Sequence, residues 1–352
     1  MGYSILSGMP NARCTQLLSK PMKLEASQYE NEFTRLLGIE FPIICGAMYP
    51  CSNVELVAAA SEAGGIGIVQ PISLTFVFGL DYREGLRRIQ SLTKKPIGVN
   101  MLIEGSNSKY RKALEQWMEI SLEEGVRFFV TALGNPRWVV ELAKQADAVV
   151  FHDATNVIHA KKGLDNGVDG FICVNDRAGG HAGELTPRRL FAEIAPLGKP
   201  TICAGGIGCR AEFDEALRIG YQGVQMGTRF IASKEADVHD DYKNAIVAAS
   251  ASDIVLTDKI SGVPVSVINT PYLQRMGPSA GWLAKTLLRG RKTKHWMRTY
   301  YAITSAFKLK KANLKGSSYG DFFQAGKSVE TVDSVLSVAE IFEELCGEPS
   351  IA

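Results

Sequence analysis

Eight short apolar runs, at residues 42–46, 65–69, 96–101, 126–131, 148–151, 170–174, 200–204 and 223–226, punctuate the first two thirds of the chain. Between them lie segments with helical spacing of apolar residues, at 54–63, 82–92, 109–123, 137–144, 156–166, 187–194 and 211–219. This alternation restricts the chain to a parallel sheet, because each strand must return to the same edge through a crossover helix. Runs of small and β-branched residues such as Thr201-Ile202-Cys203-Ala204 suit strands covered on both faces. Eight repeats at intervals of about 20–30 residues favour closure into a barrel over an open, doubly wound sheet. The open sheet would carry G-x-G-x-x-G after its first strand; here the first run ends Cys45-Gly46-Ala47-Met48.

The pattern changes after Phe230. Residues 242–250 read as a helix, and 254–256 and 263–268 as short strands around Ser261-Gly262. A basic run follows at 285–315, with Trp282, Trp296, Tyr300, Tyr301 and Phe307 in and beside it. The predicted architecture is therefore an α/β fold: a (β/α)8 TIM barrel with a smaller α/β lid subdomain and a helical C-terminal extension. It divides into an N-terminal tail (1–30), the barrel (31–240), and the lid with its basic extension (241–352).

Composition narrows the function. A net charge of +2 over 352 residues is too small for a dedicated nucleic-acid binder, so the basic, aromatic run reads as an amphipathic helix packed on the barrel, a lid, or the contact of a homodimer. No run of about 18 apolar residues offers a membrane span. The seven cysteines, at 14, 45, 51, 173, 203, 209 and 346, are scattered and lack C-x-x-C pairs. Reduced thiols of a cytoplasmic protein fit this usage, with Cys45 and Cys203 as small core hydrophobes. The first 30 residues lack the basic and apolar regions of a secretory signal.

Two segments carry the strongest functional signal, Ala204-Gly205-Gly206-Ile207 and Gln225-Met226-Gly227-Thr228. Each places glycine just after an apolar run, where backbone amides can approach a phosphate without a Cβ in the way. In a barrel, the loops after strands seven and eight commonly form a phosphate site at the C-terminal face. The segment Arg177-Ala178-Gly179-Gly180-His181-Ala182-Gly183-Glu184 sets an imidazole on the same rim, with a pKa range suited to proton transfer. His159, His239 and His295 read as structural, and no pair of histidines has the H-E-x-x-H spacing of a metal site. A phosphate cradle in a chain so poor in reactive side chains implies a bound cofactor. Met48, Gln70 and Asn100 follow or end the first three runs, where carboxamides and a thioether can border a heterocycle. Arg177 would serve a dinucleotide or phosphopantetheine phosphate, or pair with a barrel carboxylate. Arg229 reads as structural, clamping a helix end.

Six segments in order give the chain a resemblance: residues 41–48, 63–67, 98–100, 178–183, 204–207 and 225–230. It resembles the nitronate monooxygenase family, formerly called 2-nitropropane dioxygenases, which includes the flavin-type enoyl-acyl-carrier-protein reductase II. The likeness covers about residues 33–274, with everything after about Met276 outside it. It implies FMN at the C-terminal mouth of the barrel, its phosphate on amides of Gly205, Gly206, Gly227 and Thr228. Ala47, Met48 and Asn100 would flank the isoalloxazine beside Gly180, and His181 would be the active-site histidine. Many relatives carry a lysine after the end of strand five; here His152 is followed by Asp153. The implied activity is oxidation of alkyl nitronates with O2 to carbonyl compounds and nitrite. The alternative is NAD(P)H-dependent reduction of an enoyl thioester or a quinone at the same FMN site. A barrel that held a flavin only as a scaffold would leave an imidazole facing the cofactor without a task.

Overall fold

In the computed structural model, which describes residues 26–103, 108–258, 264–277 and 322–347, each of the eight apolar runs forms a strand. They are β1 (Ile43–Cys45), β2 (Ile66–Val69), β3 (Ile97–Ile103), β4 (Phe128–Leu133), β5 (Val149–Ala154), β6 (Gly170–Val174), β7 (Thr201–Ala204) and β8 (Gly223–Met226). All pair in parallel in chain order, and β8 closes on β1 through Ile44 and Gln225. The fold is the expected (β/α)8 barrel. Three strands, β3, β4 and β5, run further than their apolar stretches. The β3–β4 ladder continues to Ile103 and Leu133, and the β5–β6 ladder to Ala154 and Cys173. Asn100 and His152 therefore sit inside strands rather than at their ends. The polar residues after Phe151 do not stop the strand, because one of its faces opens into the barrel mouth.

Successive residues of a strand face opposite sides, and the packing follows that rule. Ile44, Ile66, Ile68, Phe128, Val130, Phe151, Ile172 and Ile202 form one cluster filling the barrel interior. Their neighbours Val69, Val99, Met101, Phe129, Val150, Phe171, Cys203 and Val224 join a second cluster beneath the helices. Those helices are α2 (Val54–Glu62), α3 (Tyr82–Leu92), α4 (Ser108–Glu123), α5 (Arg137–Lys144), α6 (Val157–Asp165), α7 (Pro187–Ile194) and α8 (Arg210–Ile219). They follow α1 (Glu32–Leu37), which plugs the N-terminal end of the barrel. Phe33 of α1 is fully buried, 5.7 Å from the Phe151 ring, and the Asn31 side chain donates to the Gln222 carbonyl at 2.8 Å.

After β8 come the single turn α9 (Thr228–Ile231) and α10 (Asp240–Ala248), which His239 caps by accepting the Asp241 amide. A two-stranded antiparallel sheet follows, β9 (Ile254–Thr257) and β10 (Val265–Ile268), then α11 (Pro271–Met276). The helical ring is completed from far along the chain: α12 (Val338–Cys346) packs against both α2 and α8, and its Phe342 lies 6.1 Å from Phe41 and from Phe230. Residues 1–25 of the tail expected at 1–30, Ser261-Gly262-Val263 and the basic run at 285–315 with its aromatics lie outside the described residues, whereas Ala26–Tyr29 forms a 3-10 turn. Among the described residues no helix is long and apolar enough to cross a membrane.

Candidate active site at the barrel mouth

Because all eight strands are parallel, their C-terminal ends form one rim, and the sequence-predicted residues fall on it. Ala47 and Met48 follow β1; the Met48 amide donates to Ser52 Oγ at 2.9 Å and its carbonyl accepts from Ser73 Oγ at 3.5 Å. Asn100 is buried and faces the lumen, since Val99 and Met101 on either side of it pack under the helices. Gly205 and Gly206 follow β7 with φ of 113° and 79°, values that favour glycine. A Cβ on Gly205 would stand 2.6 Å from the Ala178 amide nitrogen and 2.7 Å from Asn175 Oδ1. Gly227 and Thr228 follow β8, with Met48 Sδ over Gly227, where a Cβ would come within 3.4 Å.

The loop after β6 carries Gly180 and His181. Buried Asn175 is its anchor: Oδ1 accepts the Arg177 amide at 2.8 Å, its carbonyl accepts the Gly183 amide at 3.1 Å, and Nδ2 donates to the Gly205 carbonyl at 3.0 Å. One side chain thus fixes the histidine loop against the glycine loop after β7. The histidine loop is also held from outside. Ser266 of β10 donates its amide to the Gly180 carbonyl at 2.7 Å, and the Lys327 amide donates to the Arg177 carbonyl at 2.9 Å. Gly326 completes the link by donating to Thr228 Oγ1 at 3.0 Å, while the Tyr242 hydroxyl donates to the Gln324 carbonyl. His181 remains exposed to the mouth, yet enough protein surrounds it to lower its pKa below the usual histidine value. It is therefore mainly neutral at pH 7.

Two residues named from the sequence without a binding role also face the mouth. Gln225 lies on the lumen side of β8, its Cγ only 3.0 Å from where a Gly46 Cβ would stand. Asp153 faces the lumen too, because His152 beside it turns to the helix side, where its ring approaches Gly163 of α6 and its Nδ1 pairs with Thr131 Oγ1 at 2.8 Å. Burial pushes the His152 pKa down to about 4 and the Asp153 carboxyl up to about 7. Asp153 Oδ1 is buried with no hydrogen-bond partner. Residues 322–327 were invisible as site residues, since nothing local ties Gly326 to a loop about 150 residues earlier in the chain.

Arg177 is tied into the framework, whereas the buried Arg229 keeps its Nε and one terminal nitrogen without a hydrogen-bond partner, so no helix-end clamp is seen for it. Arg177 pairs with Glu212 Oε1 of α8 at 2.7 Å, and Glu212 also accepts the Gly208 amide and the Thr331 hydroxyl, each at 2.8 Å. Arg229 is 2% exposed; burial lowers its pKa, with Glu344 and Asp333 opposing the shift. His159 pairs with Thr155 Oγ1 at 3.0 Å, and His295 lies outside the described residues. Cys45 and Cys203 are buried in the core, where desolvation holds both thiols protonated and pushes Cys203 up to about 12. Among the described residues no cluster of three or more histidine, cysteine or carboxylate groups suits a metal ion. A cavity of about 480 Å3 opens at the opposite end of the barrel, lined by Leu37, Thr93, Lys95, Arg127 and Asp147 among others, with neither a histidine nor a cradle of left-handed glycines.

The chain is similar to known proteins in sequence and fold. The chain is 26% identical over 341 residues to the (3aS,4S,5R,7aS)-5-hydroxy-7a-methyl-1-oxo-octahydro-1H-indene-4-carboxyl-CoA dehydrogenase of Mycobacterium tuberculosis, covering 89% of this chain and 94% of that one. It is 27% identical to a probable nitronate monooxygenase of Staphylococcus haemolyticus, covering 70% and 80% of the two chains. The structure of FabK from Thermotoga maritima superposes with a TM-score of 0.74 at 28% identity, over 90% of this chain and 94% of that one. The nitronate monooxygenase family pattern matches residues 30–348, so the likeness does not end near Met276 as the sequence motifs suggested. The added part is the segment that clamps the histidine loop and the helix that closes the ring, both built into the barrel. Fold, rim and family pattern agree: the chain is an oxidoreductase that belongs to the nitronate monooxygenase family.

Proposed function

We propose that the protein uses FMN bound at the barrel mouth to oxidise alkyl nitronates with O2, giving carbonyl compounds and nitrite. The observation that carries this reading is the placement of a neutral, clamped His181 on the same rim as the bare glycine backbone after β7 and β8. The residues present suit FMN. The glycine turns offer amides to a phosphate, Asn100 and Gln225 offer carboxamides inside the mouth, and Met48 offers a thioether beside a ring. Bound there, FMN supplies the electron transfer that no side chain of the mouth can perform. His181 orients the nitronate oxygens through an N–H hydrogen bond or, where the neutral nitroalkane is bound instead, takes the proton from its adjacent carbon to form the nitronate, for which a neutral imidazole is required. The loop anchors on Asn175 and Ser266 keep that imidazole in place without using its ring nitrogens.

A second reading is favoured by one finding. The M. tuberculosis relative, a carboxyl-CoA dehydrogenase by name, shares nearly the full length, whereas the probable nitronate monooxygenase of S. haemolyticus matches 70% of the chain. Redox chemistry on an acyl thioester with NAD(P)H is the corresponding activity, with His181 assisting proton delivery. The two separate in an anaerobic cuvette. If a propyl nitronate alone changes the visible flavin spectrum of the purified protein, the monooxygenase reading holds. If only NADH or NADPH does so, the reductase reading replaces it, and a protein that binds no FMN overturns both.

A further inference from the structure

We infer that Asp153 is a hydrogen-bond donor to the ring bound in the mouth, acting as a neutral carboxylic acid that meets an acceptor atom of that ring. The inference rests on the flavin reading for the identity of the occupant. Its geometry comes from the strand. Asp153 pairs in register with Ile172 of β6, a residue of the interior cluster, and follows Phe151 on the lumen side of β5. Oδ1 is buried without a partner, whereas the residue as a whole keeps partial exposure, so the other carboxyl oxygen is the one that a ligand in the lumen can meet.

The surroundings decide its charge state. Neighbouring strands present Ala132 of β4, and Ile172 and Val174 of β6, to this part of the lumen; none titrates. Cys173 lies on the helix side of β6 as a protonated thiol, and His152 turns away as a neutral imidazole. His181, on the loop after β6, has its pKa lowered by the protein around it although its side chain remains exposed. No ion pair among the described residues includes Asp153. An unpaired carboxylate in such a place is strongly disfavoured, whereas a protonated acid needs only an acceptor for its O–H. Desolvation accordingly holds the group protonated up to about pH 7. A bound ring rich in carbonyl and imine acceptors can accept a hydrogen bond from the proton carried on the oxygen that the mouth reaches.

The experiment titrates the FMN-free protein with FMN, by flavin fluorescence, at pH 6.5 and pH 8.5. The phosphate of FMN is largely ionised over this range and affects every variant alike. Wild type is expected to bind about tenfold more weakly at pH 8.5, as the acid is lost. Asp153→Asn, which keeps a neutral donor, should change less than about twofold between the two, and Asp153→Ala should bind at least about fivefold more weakly than wild type at pH 6.5. Parallel pH dependence in wild type and Asp153→Asn, or wild-type affinity in Asp153→Ala, overturns the inference. If wild type binds no FMN at either pH, the flavin reading fails. Infrared spectra of the FMN-free protein then decide the state of Asp153. A carboxylic-acid carbonyl band lost between pH 6 and 8.5, and absent from Asp153→Asn, shows the protonated acid that the inference requires; no such band in wild type refutes it.

Discussion

Followed from bottom to top, the lumen-facing residues of the barrel change character on the same strands. On β5 they read Val149, Phe151, Asp153; on β3, Gly98 then Asn100; on β8, Gly223 then Gln225. The lower end is closed by Phe33 from α1 and packed ring against ring, with Phe128 and Phe151 at 5.4 Å. The upper end holds carboxamides, left-handed glycines and a carboxyl oxygen without a partner. Each large apolar side chain buried below contributes roughly 2–3 kcal/mol, and an unsatisfied buried polar atom above costs about 1–3 kcal/mol. The difference shows how one scaffold separates stability from chemistry: the tightly packed half carries the polar half, whose side chains and glycine turns collect where a ligand can meet them.

The sharpest way to break this division is Phe151→Ala. Phe151 is fully buried between Phe33 and Phe128, so its truncation should destabilise the fold by about 3–5 kcal/mol. Urea unfolding measures it; a loss under about 1 kcal/mol would mean that the lower lumen is not the stabilising half. The next largest effect lies one turn of the pleat higher and depends on pH. Asp153 binds its proton more tightly folded, at about 7, than unfolded, near 3.8. Its stabilising share is therefore complete below about pH 4, declines as pH rises to about 7, and is absent above, up to about 4 kcal/mol in all. The difference in unfolding free energy between wild type and Asp153→Asn, followed from pH 4 to 8, should trace that decline; a flat difference would place Asp153 among ordinary exposed acids. Smaller in energy, and confined to the upper half, is His181→Asn: FMN should remain bound while turnover falls at least tenfold, about 1.4 kcal/mol of barrel-mouth chemistry. Equal turnover would remove His181 from the reaction.

The lower half was legible in the sequence because it obeys local rules. Gly170–Val174 and Gly223–Met226 are strands with the limits that their apolar runs give them, and helices Tyr82–Leu92 and Pro187–Ile194 follow from spacing alone. The glycine turns and His181 were also visible, since glycine and histidine carry their chemistry in their residue type. Asp153 was noticed only as an acid in place of a lysine; that it faces the lumen depends on β5 continuing past Phe151, which a polar pair hides from any reading of apolar runs. What could not be read was the clamp. Gly326, Lys327 and α12 reach the barrel after a long excursion, and contacts between residues so far apart leave no periodic trace in the chain.

That clamp gives the smallest and most discriminating test. Thr228 is buried, and its hydroxyl accepts the Gly326 amide that holds residues 322–327 against the histidine loop. Thr228→Val keeps the shape and the backbone amide at the glycine turn but leaves the Gly326 N–H unpaired, so it should cost about 1–2 kcal/mol in thermal or urea unfolding. If the clamp serves only stability, FMN affinity and turnover of the folded variant will match wild type, and the two halves of the barrel differ only in packing. If it positions His181, turnover should fall several-fold at unchanged FMN affinity, because the Lys327 link to the Arg177 carbonyl loosens the loop without touching the glycine cradle. The upper half would then depend for its geometry on a segment that no strand of the barrel supplies.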